Sequence, residues 1–369
     1  MCWRILSRSR RSLRSICKEL QALLLPILVL TLTACGVSQA PPQAGSPSAQ
    51  ETISESNPST ELIANGESSL LDAGGNKDDA LINMSIEDIP AEYRSAAEHA
   101  GEVVGFDYGT AVEDKYAYVY VPYGYDENTQ YDILYMMHGG GGSQESLFGG
   151  VGQSNDIKNT IDHLIENGEM EPILIVTPTF YTRANDSTDV SGSWDAVLGF
   201  PGELTEYLMP AVESAYSTYA ETADETGFAA SREHRAFGGF SMGSVTTWYV
   251  FEQDLRYFSG FIPISGDSWT KGMQAGRSDP EGTANALADS VTSQGYTADD
   301  FMIYAITGSK DIAEPCMTPM FGSIESHSDV FRMDENANTY YFVKDGGVHN
   351  MTYVKQYLYN LLPVLYGGN

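Results

Sequence analysis

Beyond about residue 85, short apolar runs alternate with stretches of helical spacing. Residues 116–121 alternate aromatic with small or branched side chains, the pattern of a half-exposed strand. The runs at 133–137, 173–176, 235–240, 258–264, 301–307 and 339–343 are continuously apolar or nearly so, as strands buried on both faces are. Between them the spacing predicts helices over 156–166, 202–219, 242–252, 283–293 and 349–365. This alternation predicts an α/β fold with a mostly parallel central sheet and helices on both faces. In such sheets function gathers in the loops that follow the carboxyl ends of strands.

The N-terminal region follows a different pattern. Arg4, Arg8, Arg10, Arg11, Arg14 and Lys18 form a basic leader, residues 20–32 an apolar core, and Leu32-Thr33-Ala34-Cys35 resembles a bacterial lipobox. Gln21 and Pro26 interrupt the apolar run, which is shorter than the roughly 20 residues a membrane span needs. The expectation is a lipoprotein signal peptide over 1–34 and lipidation at Cys35, which would hold the protein by its lipid at the extracellular face of a bacterial membrane. Residues 35–85 are rich in Ser, Pro, Gln, Glu, Gly and Asn, and read as a disordered tether to a folded domain over 86–369.

Charge and cysteine content narrow the choices. Of four cysteines, only Cys316 lies beyond Cys35, so a processed chain has no intrachain disulfide and no cysteine metal site. The whole chain carries a net charge of −30 from 20 basic and 50 acidic residues. Loss of the leader removes six bases and one acid and leaves −35. Such a surface repels nucleic acid and anionic polymers and suits a neutral substrate.

The candidate chemistry lies after four of the predicted strands. Gly239-Phe240-Ser241-Met242-Gly243 joins a strand to a helix and has the spacing of a nucleophile elbow. The glycines allow the close backbone approach, and the following helix aims its first amides at a developing oxyanion. His138-Gly139-Gly140-Gly141-Gly142 follows the 133–137 strand, so Gly139, Gly140 and Met242 are the candidate oxyanion donors. Asp311 follows the 301–307 strand and His349 the last one, in the chain order Ser, Asp, His. Ser241 would be the nucleophile, His349 its base and Asp311 the residue that fixes the imidazole. Asp267 after the 258–264 run is a second candidate acid and a candidate substrate contact. Trp269 and Trp194 are candidate walls of a substrate pocket.

Four segments carry a resemblance: Val121-Pro122-Tyr123-Gly124-Tyr125-Asp126, 134–142, 233–243 and Gly346-Gly347-Val348-His349. Together they resemble carbohydrate esterase family 1, the feruloyl and acetyl xylan esterases, including the esterase module of clostridial xylanase Z. The resemblance runs from about residue 86 to the C-terminus. It implies an α/β-hydrolase without metal or cofactor that removes acyl groups from plant cell-wall xylan, with Ser241, Asp311 and His349 as its triad. Ser244 departs from the pattern, standing where many relatives have a second glycine. Other readings stay open: a siderophore or other non-carbohydrate esterase, an acyltransferase, or a polysaccharide-binding surface lipoprotein without activity.

Overall fold

The computed structural model describes Leu70, Leu81 and residues 84–367, apart from 154, 183–192 and 335. The predicted signal peptide, Cys35 and most of the predicted tether lie outside the described residues. Leu70 and Leu81 are buried, and the Leu70 N–H donates to Glu233 O, so chain N-terminal to residue 86 contributes to the core.

Eight strands form one sheet: β1 (Glu102–Gly109), β2 (Asp114–Val121), β3 (Ile133–Met137), β4 (Leu174–Thr177), β5 (Arg235–Phe240), β6 (Gly260–Ile264), β7 (Met302–Gly308) and β8 (Thr339–Lys344). Their order is β1-β2-β4-β3-β5-β6-β7-β8. The six from β3 to β8 run parallel, and β1 and β2 are antiparallel at one edge. This is the α/β-hydrolase fold, as expected. Because side chains alternate along a strand, each central strand supplies two cores. In β3, Ile133, Tyr135 and Met137 enter one cluster, and Leu134 and Met136 the other. That is why such strands carry no polar face.

Among the described residues there are nine α-helices: α1 (Asp156–Glu166), α2 (Ser193–Glu203), α3 (Met209–Ala215), α4 (Glu225–Ala230), α5 (Met242–Asp254), α6 (Ala275–Ser278), α7 (Pro280–Ser293), α8 (Glu314–Ile324) and α9 (Met351–Tyr366). Apolar faces of α1 and α9 cover one side of the sheet. Those of α2, α5, α7 and α8 cover the other. A buried ion pair holds the start of β5, where Arg235 donates to both Glu213 carboxylate oxygens at 2.7 and 2.8 Å. Its remaining donors meet Ser231 Oγ and the carbonyls of Phe228 and Tyr257, so no buried charge is left uncompensated.

Several elements differ from the reading of the sequence, among them the helices α4, α6 and α8, which were not anticipated. The edge strand β1 was not anticipated, because Gly105 and Asp107 interrupt its apolar positions and only Val103 and Tyr108 are buried. The expected helix over 202–219 instead begins at Ser193, passes Pro201, makes a π turn over Leu204–Leu208 and stops at Ala215. Val197, Phe200, Leu204 and Leu208 continue one buried stripe across this irregularity, so packing outweighs the proline. The last helix begins at Met351, not at 349, since the Asn350 side chain caps it by accepting from Tyr353 N–H at 3.2 Å. His349 is thereby left in a loop.

Candidate active site

Ser241 stands between β5 and α5 with φ 57° and ψ −113°. A non-glycine residue held there costs on the order of 1–3 kcal/mol. The turn is over-determined by its surroundings: Ser241 N–H donates to Ile264 O at 2.9 Å, and Ser241 O accepts from Val245 N–H at 3.1 Å. The flanking glycines allow the closeness this requires. A Cβ on Gly239 would lie 2.4 Å from the Gly243 backbone, and one on Gly243 2.3 Å from Met137 O. Ser244 sits fully buried and donates to Gly266 O at 2.7 Å, so the departure from the glycine pattern is accommodated by a hydrogen bond.

The loops after β7 and β8 bring an acid and an imidazole to this serine. His349 Nδ1 lies 2.7 Å from Asp311 Oδ1, and its Nε2 lies 3.0 Å from Ser241 Oγ. A carboxylate can only accept, so Nδ1 carries the proton and Nε2 presents its lone pair to the serine hydroxyl. Asp311 Oδ1 also accepts from Ala313 N–H at 2.8 Å. Phe240 packs against the imidazole with ring centroids 4.5 Å apart. The two loops are locked by backbone contact: Lys310 N–H donates to Gly347 O at 2.9 Å, and a Cβ on Gly308 would meet Gly347 at 2.3 Å.

The glycine loop lies over the elbow. A Cβ on Gly139 would be 3.3 Å from Ser241 Cβ, and one on Gly140 would be 3.1 Å from Met242 Cγ. The Gly141 N–H is engaged by Tyr181 Oη at 2.8 Å and that of Gly142 by Gly139 O at 3.0 Å. Gly139 and Gly140 therefore remain the candidate oxyanion donors of this loop, opposite Met242. His138 braces it: Nδ1–H donates to Gly139 O, and Nε2 accepts from Thr179 Oγ1–H, both at 2.7 Å. Burial pushes the His138 pKa down to about 4, which keeps the ring neutral near pH 7.

Ser241 and His349 open onto a cleft of about 100 Å³ whose walls include Met242, Val245, Trp269, Gln274, Ile312 and Cys316. Trp269 and Trp194, far apart in sequence, meet with ring centroids 5.3 Å apart. Asp267 is buried in the same wall and lies on neither side of the His349 contact. It accepts from Gly276 N–H at 2.9 Å and from Trp269 Nε1–H at 3.2 Å, and so fixes the Trp269 ring. Burial raises its pKa above the usual carboxylate value. Val245, Gln274, Ile312 and Cys316 were not anticipated as lining residues. Pro315 and Pro319 mask α8, the element that carries Cys316, and exposed Ile312 has no signal beyond its distance from Asp311. A second hollow of about 440 Å³, lined by residues including Asp107, Tyr116 and Tyr181, contains none of Ser241, Asp311 and His349.

The chain is 37% identical to a feruloyl esterase module from Clostridium thermocellum, solved as a serine-to-alanine mutant complexed with sinapinate. The two structures match with a TM-score of 0.67 over 75% of this chain and 92% of that one. The chain belongs to the feruloyl esterases. Endo-1,4-beta-xylanase Y of Acetivibrio thermocellus is 39% identical over 281 residues, 75% of this chain but 24% of the xylanase. The chain thus spans about a quarter of that curated relative. A carbohydrate esterase family 1 ferulic acid esterase from Anaeromyces mucronatus shares the fold, at 18% identity and a TM-score of 0.54 over 76% of this chain and 97% of that one. No family model matches the chain. Membership of this esterase family gives the Ser241, His349 and Asp311 arrangement its chemical context, which is the cleavage of carboxylic esters.

Proposed function

We propose that this protein is a serine esterase that releases feruloyl groups from plant cell-wall xylan through an acyl-enzyme. The observation that carries the reading is the hydrogen-bonded chain Asp311–His349–Ser241 at the foot of a cleft walled by Trp269. His349 Nε2 takes the Ser241 proton as Oγ attacks the ester carbonyl, and the imidazolium then gives it to the sugar oxygen as the C–O bond to the acyl carbon breaks. Asp311 holds the imidazole tautomer and offsets its positive charge. The amides of Met242 and of Gly139 or Gly140 receive the oxyanion. Water, activated by the same imidazole, then releases the acid and restores Ser241.

An aromatic acyl group is favoured over acetyl because Trp269, in contact with Trp194 at a 41° tilt, supplies the cleft with an aromatic wall that acetate does not need. Sinapinate, bound by the related clostridial module, is an acid of the same hydroxycinnamic type. We further propose that Cys35 carries lipid and holds the domain outside the cell, which detergent partitioning of the Cys35→Ala variant tests. The activity test is hydrolysis of methyl ferulate, an aryl acetate and acetylated xylan beside the Ser241→Ala variant. The expected result is ferulate release that falls by at least about 10³-fold in the variant. Acetate release alone would move the substrate to acetyl xylan. Equal rates for the two proteins on all three would overturn the esterase reading.

A further inference from the structure

Asp311 uses one of its two carboxylate oxygens. Oδ1 accepts from His349 and from Ala313 N–H, whereas Oδ2 is buried and meets no hydrogen-bond partner among the described residues. The Tyr357 hydroxyl, on α9, is buried and equally without a partner. Two such groups in one protein interior are costly unless something joins them. Their placement is shared. Tyr357 Oη lies 2.7 Å from the point where a Gly347 Cβ would stand, and Gly308 Cα lies 2.9 Å from that same point. The hydroxyl therefore sits at the contact that locks the Asp311 loop to the His349 loop. Burial raises the Tyr357 pKa, and the Asp311 charge raises it further, so the phenol lies within the carboxylate's field.

We propose that Tyr357 is a positioning residue for Asp311, its hydroxyl donating to Oδ2 through one buried water. Direct contact between the two oxygens is ruled out, since each lacks a partner, and a single water with two polar neighbours is the ordinary solution in a protein interior. Held at both oxygens, the carboxylate plane cannot rotate away from His349 Nδ1. One turn earlier on α9, Tyr353 Oη donates to Gly346 O at 3.3 Å, so the helix grips this loop at two points. Tyr341 of β8 also lies in the Asp311 field, but its hydroxyl is engaged by Thr318 Oγ1 at 2.8 Å.

The inference rests on the reading of Asp311 as the triad acid. Its test is Tyr357→Phe beside Tyr366→Phe, which removes another buried, partnerless hydroxyl from the same helix, one that Asp132 and not Asp311 influences. Tyr357→Phe is expected to lower kcat on methyl ferulate about tenfold with KM within about twofold. It should also move the acid limb of the pH–rate profile upward, because a bare Oδ2 leaves the carboxylate a stronger partner for the imidazolium. Tyr366→Phe should change neither. If the two variants agree in kcat and in the acid limb, the positioning role is overturned. Asp311→Asn, measured in parallel, separates the failures. Should it also keep wild-type kcat, the triad reading falls with the proposal; should it collapse kcat while Tyr357→Phe does not, only the proposal falls.

Discussion

Replacing Gly308 by Ala drives a methyl group into the Gly347 backbone. The added Cβ would stand 2.3 Å from the carbonyl carbon and oxygen of Gly347 and 2.5 Å from its Cα, where ordinary contact begins at 3.4 Å. Backbone cannot swing aside as a side-chain tip does, so the two strand-end loops must part by about 1 Å. Asp311 N–H is bonded to Gly308 O at 2.9 Å, and His349 lies two residues beyond Gly347. The parting thus falls on the 2.7 Å contact between Asp311 Oδ1 and His349 Nδ1 and stretches it beyond hydrogen-bonding range. A misplacement of this size costs about 100-fold in rate, while overpacking costs the fold only about 1–3 kcal/mol. The assay is kcat/KM on methyl ferulate at a temperature where thermal melts show both proteins folded. Gly322→Ala is the control: it lies in α8, where an added Cβ meets nothing within 4 Å, and full activity is expected. A folded Gly308→Ala protein with activity within threefold of wild type would refute the claim that this backbone contact sets the triad geometry.

Two further predictions concern the glycine loop and the aromatic wall. Burial holds the His138 pKa near 4 against an ordinary 6.5, so between those values the unfolded chain binds more protons than the folded one. The stability this residue contributes is complete above pH 6.5 and is lost as pH falls through 4, by up to about 3 kcal/mol. Denaturant midpoints at pH 7, 5.5 and 4.5 should show that decline in the wild type and a shallower one in His138→Gln; identical slopes would remove His138 as its cause. Trp269→Ala should raise KM for methyl ferulate about tenfold while leaving an aryl acetate within about threefold, because only the aromatic acyl group loses a partner. Matching losses on both esters would mean that Trp269 supports the core and not the substrate.

Much of the site could be read from the chain because its chemistry lies in local motifs. Gly239 and Gly243 around Ser241 are demanded by a turn that any chain with this connection must make, and the Ser, Asp, His order follows the strands one by one. The continuous apolar runs from β3 to β8 announce a sheet buried on both faces, since each alternate side chain needs its own core. Composition alone set the net charge of −30 and left Cys316 as the sole cysteine beyond Cys35. What lay beyond sequence reasoning depends on pairs distant along the chain. Trp194 and Trp269 meet only because α2 and the loop after β6 pack side by side, and of the two only Trp269 is among the residues that line the cleft. Asp267 and Asp311 both follow strand ends, and local pattern does not separate them. The tertiary structure ties Asp267 to Gly276 and Trp269 and gives His349 to Asp311. Motifs report what a backbone must do locally, whereas the packing of Gly308 on Gly347 decides which acid the imidazole meets.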